Sequence, residues 1–161
     1  MEVEEVVRLK FIWPGKTRNR ELRTHQDQYL AKISRLEPCE IVETREARGL
    51  TERASGKILE VEAQGLEKHL SNDYIICLFD GGTEMTSAEL AAFLEKVSRE
   101  SSRTITFVVG GFLGLAERIL RSASKRLSLS RMTLSHEMCR VVLLEQVYRS
   151  LTIMKGKHYA K

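Results

Sequence analysis

Residues 74–79 read Tyr-Ile-Ile-Cys-Leu-Phe, an uninterrupted apolar and aromatic run. A strand with one buried face alternates apolar and polar side chains, so this run predicts a strand that is covered on both faces, as in the centre of a parallel sheet. Asp80-Gly81-Gly82 predicts the end of that strand. Thr86 and Glu89 then have the capping-box spacing that opens a helix. The stretch indicates an α/β fold.

The same pattern recurs on both sides of this stretch. Further strands are predicted at 6–13, 39–44, 105–109 and, as a last short one, 132–134, and helices at 17–36, 51–70, 86–97, 115–120 and 138–153. Strand and helix pairs of about thirty residues predict an α/β fold with a mainly parallel sheet flanked by helices. We expect a single domain over residues 1–161, with 1–8 as a candidate disordered extension and 154–161 as a basic tail.

Composition excludes several classes of protein. The chain has 161 residues, 42% of them hydrophobic and 30% charged, which excludes disordered and collagen-like proteins. No apolar run approaches the roughly 18 residues of a membrane-spanning helix. The acidic start, Met1 to Glu5, lacks the features of a secretory signal, so we expect a cytoplasmic protein without a membrane partner. The three cysteines are far apart and have no metal-ligand spacing, so no metal is expected.

Positive charge is concentrated at the two ends of the chain. Six basic residues and one acidic residue lie between Arg8 and Arg23, and four basic residues without an acid lie between Arg149 and Lys161. The whole chain carries a formal charge of only +4. These ends are either ordinary solvated surface or, if they meet in space, a phosphate-binding surface.

Ligands of open α/β sheets bind beyond the carboxyl ends of the strands. Two predicted strands end in paired glycines, in the segments 79–82 and 109–111. Paired glycines serve either a tight turn or close approach of a ligand to the backbone. Gly110 to Gly114 spells GGxxG, so the GxGxxG signature of a dinucleotide site is absent. Among the histidines, His25 and His69 are expected to face solvent, whereas His136 is either structural or functional.

Four segments that follow one another along the chain indicate a protein family more specifically than the glycines do. They are Phe107 to Leu115 with its three glycines, Leu127 to His136, Arg140 to Arg149, and Ile153 followed by a basic tail with Tyr159. Together they resemble the RlmH family, SPOUT-class methyltransferases that act on large-subunit ribosomal RNA. The resemblance implies S-adenosylmethionine as cofactor, methylation of a pseudouridine at N3 on assembled ribosomes, a homodimer, and a deep trefoil knot near the C-terminus.

The resemblance also implies roles for individual residues. The implied cofactor-binding residues form three loops: Leu78, Phe79 and Asp80; Gly110 and Gly111; and Ser130, Arg131, Met132, Thr133, Leu134 and Ser135. The implied catalytic residues are His136, Arg140 and Tyr159. The implied RNA-binding residues are Arg149, Lys155, Lys157 and Lys161. Arg140 is either a phosphate clamp or the partner of a carboxylate across a dimer interface. Arg149 is equally compatible with an ordinary ion pair to Glu145.

The chain departs from the family pattern near the implied site. Phe112-Leu113 stands where a Pro-Glu pair is usual, Ser135 where a proline is usual, and Tyr159-Ala160-Lys161 where Tyr, His and Arg are usual. These departures keep an alternative open, an RNA- or ribosome-binding homologue with reduced or altered activity. An oxidoreductase with a nucleotide cofactor is a third hypothesis. For the dimer we predict an interface around Met138, Val141 and Val142 on the last helix.

Overall fold

The computed structural model describes residues 6–159 and contains one five-stranded sheet. The strands are β1 (Leu9–Pro14), β2 (Cys39–Thr44), β3 (Tyr74–Glu84), β4 (Ile105–Val108) and β5 (Lys125–Ser128). The helices are α1 (Arg20–Ser34), α2 (Ser55–Glu67), α3 (Ser87–Glu100), α4 (Glu117–Ser122) and α5 (His136–Met154), and a short 3₁₀ turn covers Glu52–Ala54. The predicted single-domain α/β fold with a parallel sheet is confirmed.

The strand order is β2-β1-β4-β3-β5, and every neighbouring pair is parallel. One face of the sheet is covered by α1, α3 and α5, around a core that includes Phe11, Ile33 and Leu143. The other face is covered by α2 and α4, around Leu66 and Ile119. The apolar run of β3 is therefore buried on both faces, as its composition predicts.

The helices that follow β3 and β4 lie on opposite faces of the sheet, since α3 belongs to one core and α4 to the other. Neighbouring strands whose connections diverge in this way leave a crevice at their carboxyl ends. The fold therefore places a ligand-sized opening beside the ends of β3 and β4.

Side chains at the helix N-termini fix where three helices begin. The predicted capping box of α3 is present, with Thr86 accepting from the Glu89 amide and the Glu89 carboxylate accepting from the Thr86 amide. Asn19 caps α1 through the Leu22 amide, and Ser135 caps α5 through the Met138 amide. These bonds satisfy backbone donors that the helix itself leaves free.

Three predicted boundaries are wrong. The last strand is Lys125–Ser128, and residues 132–134 form a loop instead. Strand β3 continues to Glu84, because Leu78 and Thr83 both pair with Leu127 while the four residues between them bulge out of the ladder. Val7 is buried in the core and its amide donates to Glu37, so the disordered extension predicted for 1–8 does not include it. Residues 1–5 of that prediction lie outside the described residues.

Within residues 6–159, no helix is both long enough and apolar enough to cross a membrane. The same residues contain no cluster of three His, Cys, Asp or Glu side chains arranged to hold a metal ion.

Candidate active site

A cavity of about 700 Å³ opens at the carboxyl ends of β3, β4 and β5. Ten of the eleven implied cofactor-binding residues line it, the exception being Arg131, whose exposed side chain reaches Glu84 at 3.9 Å. The remaining lining residues are Val109, Phe112, Leu113, Gly114, Leu115, Leu127, Leu129, His136 and Cys139. A cavity of this size, mostly apolar with a few polar groups, has the character of a small-molecule site.

The glycine loop, residues 110–114, forms one wall of the cavity. The Gly114 amide donates to the Gly111 carbonyl at 3.0 Å, and Gly114 has a φ of +80°, so the loop is a tight turn. A Cβ on Gly110 would lie 2.4 Å from the Gly114 carbonyl carbon. The glycines therefore form a tight turn, and they also leave backbone at the cavity uncovered by side chains. Both functions predicted for paired glycines, the turn and close approach of a ligand, are compatible with this loop.

The bulge of β3 forms the opposite wall. It carries Phe79 and Asp80 outward to line the cavity. Gly82 is required in the bulge because a Cβ there would lie 2.7 Å from the backbone of Arg126 in β5. Gly82 therefore allows close strand packing, whereas a Cβ on Gly81 would meet the Phe79 ring. Phe79 and Asp80 supply the groups that face a ligand.

The loop between β5 and α5, residues 129–135, forms the third wall. Two serines hold it: Ser128, at the end of β5, donates to the Ser130 carbonyl at 3.0 Å, and the Ser130 hydroxyl accepts from the Met132 amide at 2.9 Å. Met132 is 78% exposed at the rim of the cavity. The strand predicted at 132–134 does not form because these bonds bend the backbone locally instead of pairing it with a neighbour.

His136 is the first residue of α5 and lies half-buried at the cavity. Burial lowers its pKa, and the nearby positive charge of Arg140 lowers it further, although Glu137 and Glu46 act in the opposite direction. The imidazole is therefore neutral at pH 7 and free to accept a proton from a group in the cavity.

Arg140 is 1% exposed, and its guanidinium points away from solvent into the fold. It donates to the Pro14 carbonyl at 2.8 Å, the Gly15 carbonyl at 3.3 Å and the Thr17 hydroxyl at 2.9 Å, and it stacks over Trp13. Burial lowers its pKa to about 10. These bonds hold the carboxyl end of β1 against α5, while the buried Nε has no hydrogen-bond partner. Within one chain this arrangement favours a structural role for Arg140 over the two implied roles.

The tail residues lie at the other end of α5. Tyr159 packs against Tyr148 with ring centroids 5.1 Å apart and lies 4.2 Å from the Arg149 guanidinium. Burial raises the pKa of Tyr159 to about 12, with a hydrogen bond to Tyr29 as a second cause. A helix of 19 residues is about 28 Å long. Tyr159 therefore does not share a site with His136 within one chain.

The predicted RNA-binding residues have different surroundings. Arg149 forms the ordinary ion pair with Glu145, at 2.7 Å, and Lys155 pairs with Glu37 at 2.9 Å. Lys157 is exposed and borders a second cavity of about 570 Å³ together with Arg149 and Tyr159. Lys161 lies outside the described residues. The two solvent-facing histidines, His25 and His69, are exposed as predicted.

One residue near the site was missed from the sequence. Glu62 on α2 is 5% exposed, and a Cβ on Gly111 would lie 2.8 Å from its Oε1. Ile58, which is half-buried, and Leu66, which packs in the core beneath α2, stand four residues before and after it. A carboxylate in the middle of an apolar helical face was the signal that could have identified it.

A parallel sheet with a glycine-lined cavity at its carboxyl ends defines an α/β protein that binds a small cofactor. The family model described as "Predicted SPOUT methyltransferase" matches residues 7–160. The ribosomal RNA large subunit methyltransferase H of Geobacter sp. (strain M21) is 40% identical over 154 residues, 95% of this chain and 98% of the relative. Its counterpart from Oenococcus oeni (strain ATCC BAA-331 / PSU-1) is 33% identical, over 97% of this chain and 100% of the relative.

The chain therefore belongs to the SPOUT methyltransferase family, in the branch of the ribosomal RNA large subunit methyltransferases H. Among solved structures, a probable methyltransferase from Bordetella pertussis Tohama I has a TM-score of 0.54 at 11% identity, covering 90% of this chain and 95% of that one. At that identity the likeness confirms the fold alone.

Proposed function

We propose that the chain is an S-adenosylmethionine-dependent methyltransferase that acts on large-subunit ribosomal RNA, with N3 of a pseudouridine as the acceptor atom. The observation that carries the proposal is the cavity enclosed by the β3 bulge, the glycine loop and the 129–135 loop, because the residues implied as cofactor-binding converge there. The relatives named as methyltransferases over nearly the whole chain support it and do not favour a homologue that only binds RNA.

The residues of the cavity fit the cofactor. The turn at Gly110 and Gly111 leaves backbone uncovered by side chains, while Leu115, Leu127 and Leu129 supply an apolar wall for a flat ring. Backbone groups and a few polar side chains can orient an adenosine within such a wall. When bound, the cofactor supplies the methyl group and its leaving group, so the protein has to orient the acceptor and remove its proton.

We assign to His136 the removal of the proton from the acceptor nitrogen. N3 of a pseudouridine carries a hydrogen that must leave for the nitrogen to accept a methyl group. The His136 imidazole lines the cavity, and its lowered pKa keeps it neutral at pH 7, so it can take that proton. We assign Arg140 a positioning role, because it is buried and both of its terminal nitrogens donate to the chain itself.

We propose a homodimer as the active form, with the chain knotted near its C-terminus as in the family. Tyr159, Arg149 and Lys157 lie at the far end of α5 from the cavity, so a second copy is needed for these residues to stand beside a cavity and contact the nucleotide held there. Of the residues predicted at the interface, Met138 is exposed and Val142 half-buried, whereas Val141 is buried within the chain. Met138 and Ile153 are the exposed apolar side chains on α5 that suit such an interface. Light scattering at micromolar protein should give twice the chain mass, and a monomeric mass would contradict the dimer.

The function is tested with methyl-labelled S-adenosylmethionine and large ribosomal subunits or ribosomes from cells that lack the modification. Label should enter the RNA, and digestion should locate it on one pseudouridine. H136N should retain cofactor binding and lose most of the transfer. Absence of both cofactor binding and label transfer in the wild-type protein would reject the proposed function.

A further inference from the structure

Glu62 carries a buried carboxylate that lacks a cationic partner. Its Oε1 has no hydrogen-bond partner, and its Oε2 accepts only a long bond, 3.5 Å, from the Ala47 amide. No ion pair joins Glu62 to a basic side chain among residues 6–159. The buried carboxylate of Glu37, by contrast, pairs with Lys155 at 2.9 Å. Buried charges in proteins are normally paired, so Glu62 stands out in this fold.

The free oxygen of Glu62 lies against the wall of the cofactor cavity. Oε1 abuts Gly111, where a Cβ would approach it to 2.8 Å, and Gly111 itself lines the cavity. Any residue other than glycine at this position would displace the carboxylate or the loop. Because residue 111 is glycine, the Glu62 carboxylate can lie next to the backbone of the loop, on the side opposite the cavity.

The charges around Glu62 do not neutralise it. Burial raises the pKa of Glu62, the Ala47 amide lowers it, Glu46 raises it, and Arg140 lowers it. Arg140 remains a cation, because it donates to the neutral backbone carbonyls of Pro14 and Gly15, but its favourable effect on Glu62 is smaller than the unfavourable effect of Glu46. A cation brought into the cavity would therefore relieve an existing electrostatic cost.

We propose that Glu62 is a positioning residue for methyl transfer, the buried countercharge that favours the cationic sulfonium of S-adenosylmethionine over the neutral thioether of the demethylated product. The inference rests on the proposed function. It assigns to a residue on α2, behind the glycine loop, the task of holding the charged cofactor and releasing the uncharged product. Asp80, which also lines the cavity, is exposed to water and its charge is more strongly screened.

Calorimetry with S-adenosylmethionine and S-adenosylhomocysteine tests the proposal, because the two ligands differ in the charge at sulfur. In E62Q the preference for the methylated ligand should fall by about tenfold, the order of magnitude expected for loss of one charge in a partly buried site. E62D, which keeps the charge, should stay closer to wild type. E60Q changes an exposed carboxylate on the same helix, paired with Arg118, and should leave the preference unchanged.

The unliganded E62Q protein should be at least as stable as wild type, because glutamine keeps the shape and removes an unpaired buried charge. Equal weakening of both ligands, an unchanged preference, or failure of E62Q to fold would each overturn the role of Glu62. If the wild-type protein binds neither ligand, the proposed function itself fails, which separates the two outcomes.

Discussion

Replacing Arg140 with methionine tests whether this arginine holds the fold or touches the substrate. R140M keeps an unbranched side chain of similar length but removes the donors to the Pro14 carbonyl, the Gly15 carbonyl and the Thr17 hydroxyl. Each buried polar group left without a partner costs about 1–3 kcal/mol. Allowing for relaxation of the loop, we expect R140M to lower the free energy of unfolding by about 3–5 kcal/mol.

The assay is urea unfolding followed by circular dichroism, with all variants at one protein concentration because a dimer would make the midpoint concentration-dependent. A domain of this size loses about 2–4 °C of Tm per kcal/mol, so the thermal midpoint should fall by roughly 10 °C. R121M is the matched control: Arg121 is exposed and pairs with Glu117 across one turn of α4. Such a surface pair contributes at most about 0.5 kcal/mol.

The result that would refute this reasoning is specific. If R140M unfolds within about 1 kcal/mol of wild type while its methyl transfer falls by two orders of magnitude or more, the guanidinium serves the substrate and not the fold. The role first implied by the resemblance would then be restored.

Three further outcomes follow from the site. The rate of methyl transfer should rise with pH through an acid limb below about 6.5, because burial and Arg140 hold the pKa of His136 low, and this limb should be absent from the residual rate of H136N. G114A should cost about 1–2 kcal/mol by urea unfolding, because only the φ of +80° opposes it, whereas G110A should abolish cofactor binding in calorimetry because its Cβ collides with the Gly114 backbone. Cys77, buried with its pKa raised to about 12, should resist a thiol reagent at about pH 8 until the protein unfolds.

Local sequence patterns were sufficient to predict most of the helices and strands. The apolar run at 74–79 and the capping box at Thr86 were predictable because each depends on neighbours in sequence. The extension of β3 was not, because Leu78 and Thr83 share one partner, Leu127, across the sheet. A glycine pair such as Gly81-Gly82 signals a turn by composition, and only the position of β5 shows that Gly82 packs a bulge against another strand.

Burial was the property that sequence conveyed least well for charged side chains. Arg140 and Glu62 are both almost fully buried, although arginine and glutamate are usually exposed. The resemblance marks Arg140 as important without saying that its role is to close β1 onto α5. Glu62 received no role at all, because its significance depends on Gly111, which is 49 residues away in sequence and adjacent in space.

In the structure, several of the positive charges at the C-terminal end of the chain are already paired within the chain. Lys155 is neutralised by Glu37, and Arg149 is shared between Glu145 and the Tyr159 ring, so few tail cations are free to contact phosphate within one chain. Exposed Lys157 lies at the C-terminal end of α5, whereas His136 begins that helix about 28 Å away. In the proposed dimer, a second chain whose α5 runs in the opposite direction would bring the tail of one copy beside the cavity of the other, so cavity and tail could contact the same nucleotide.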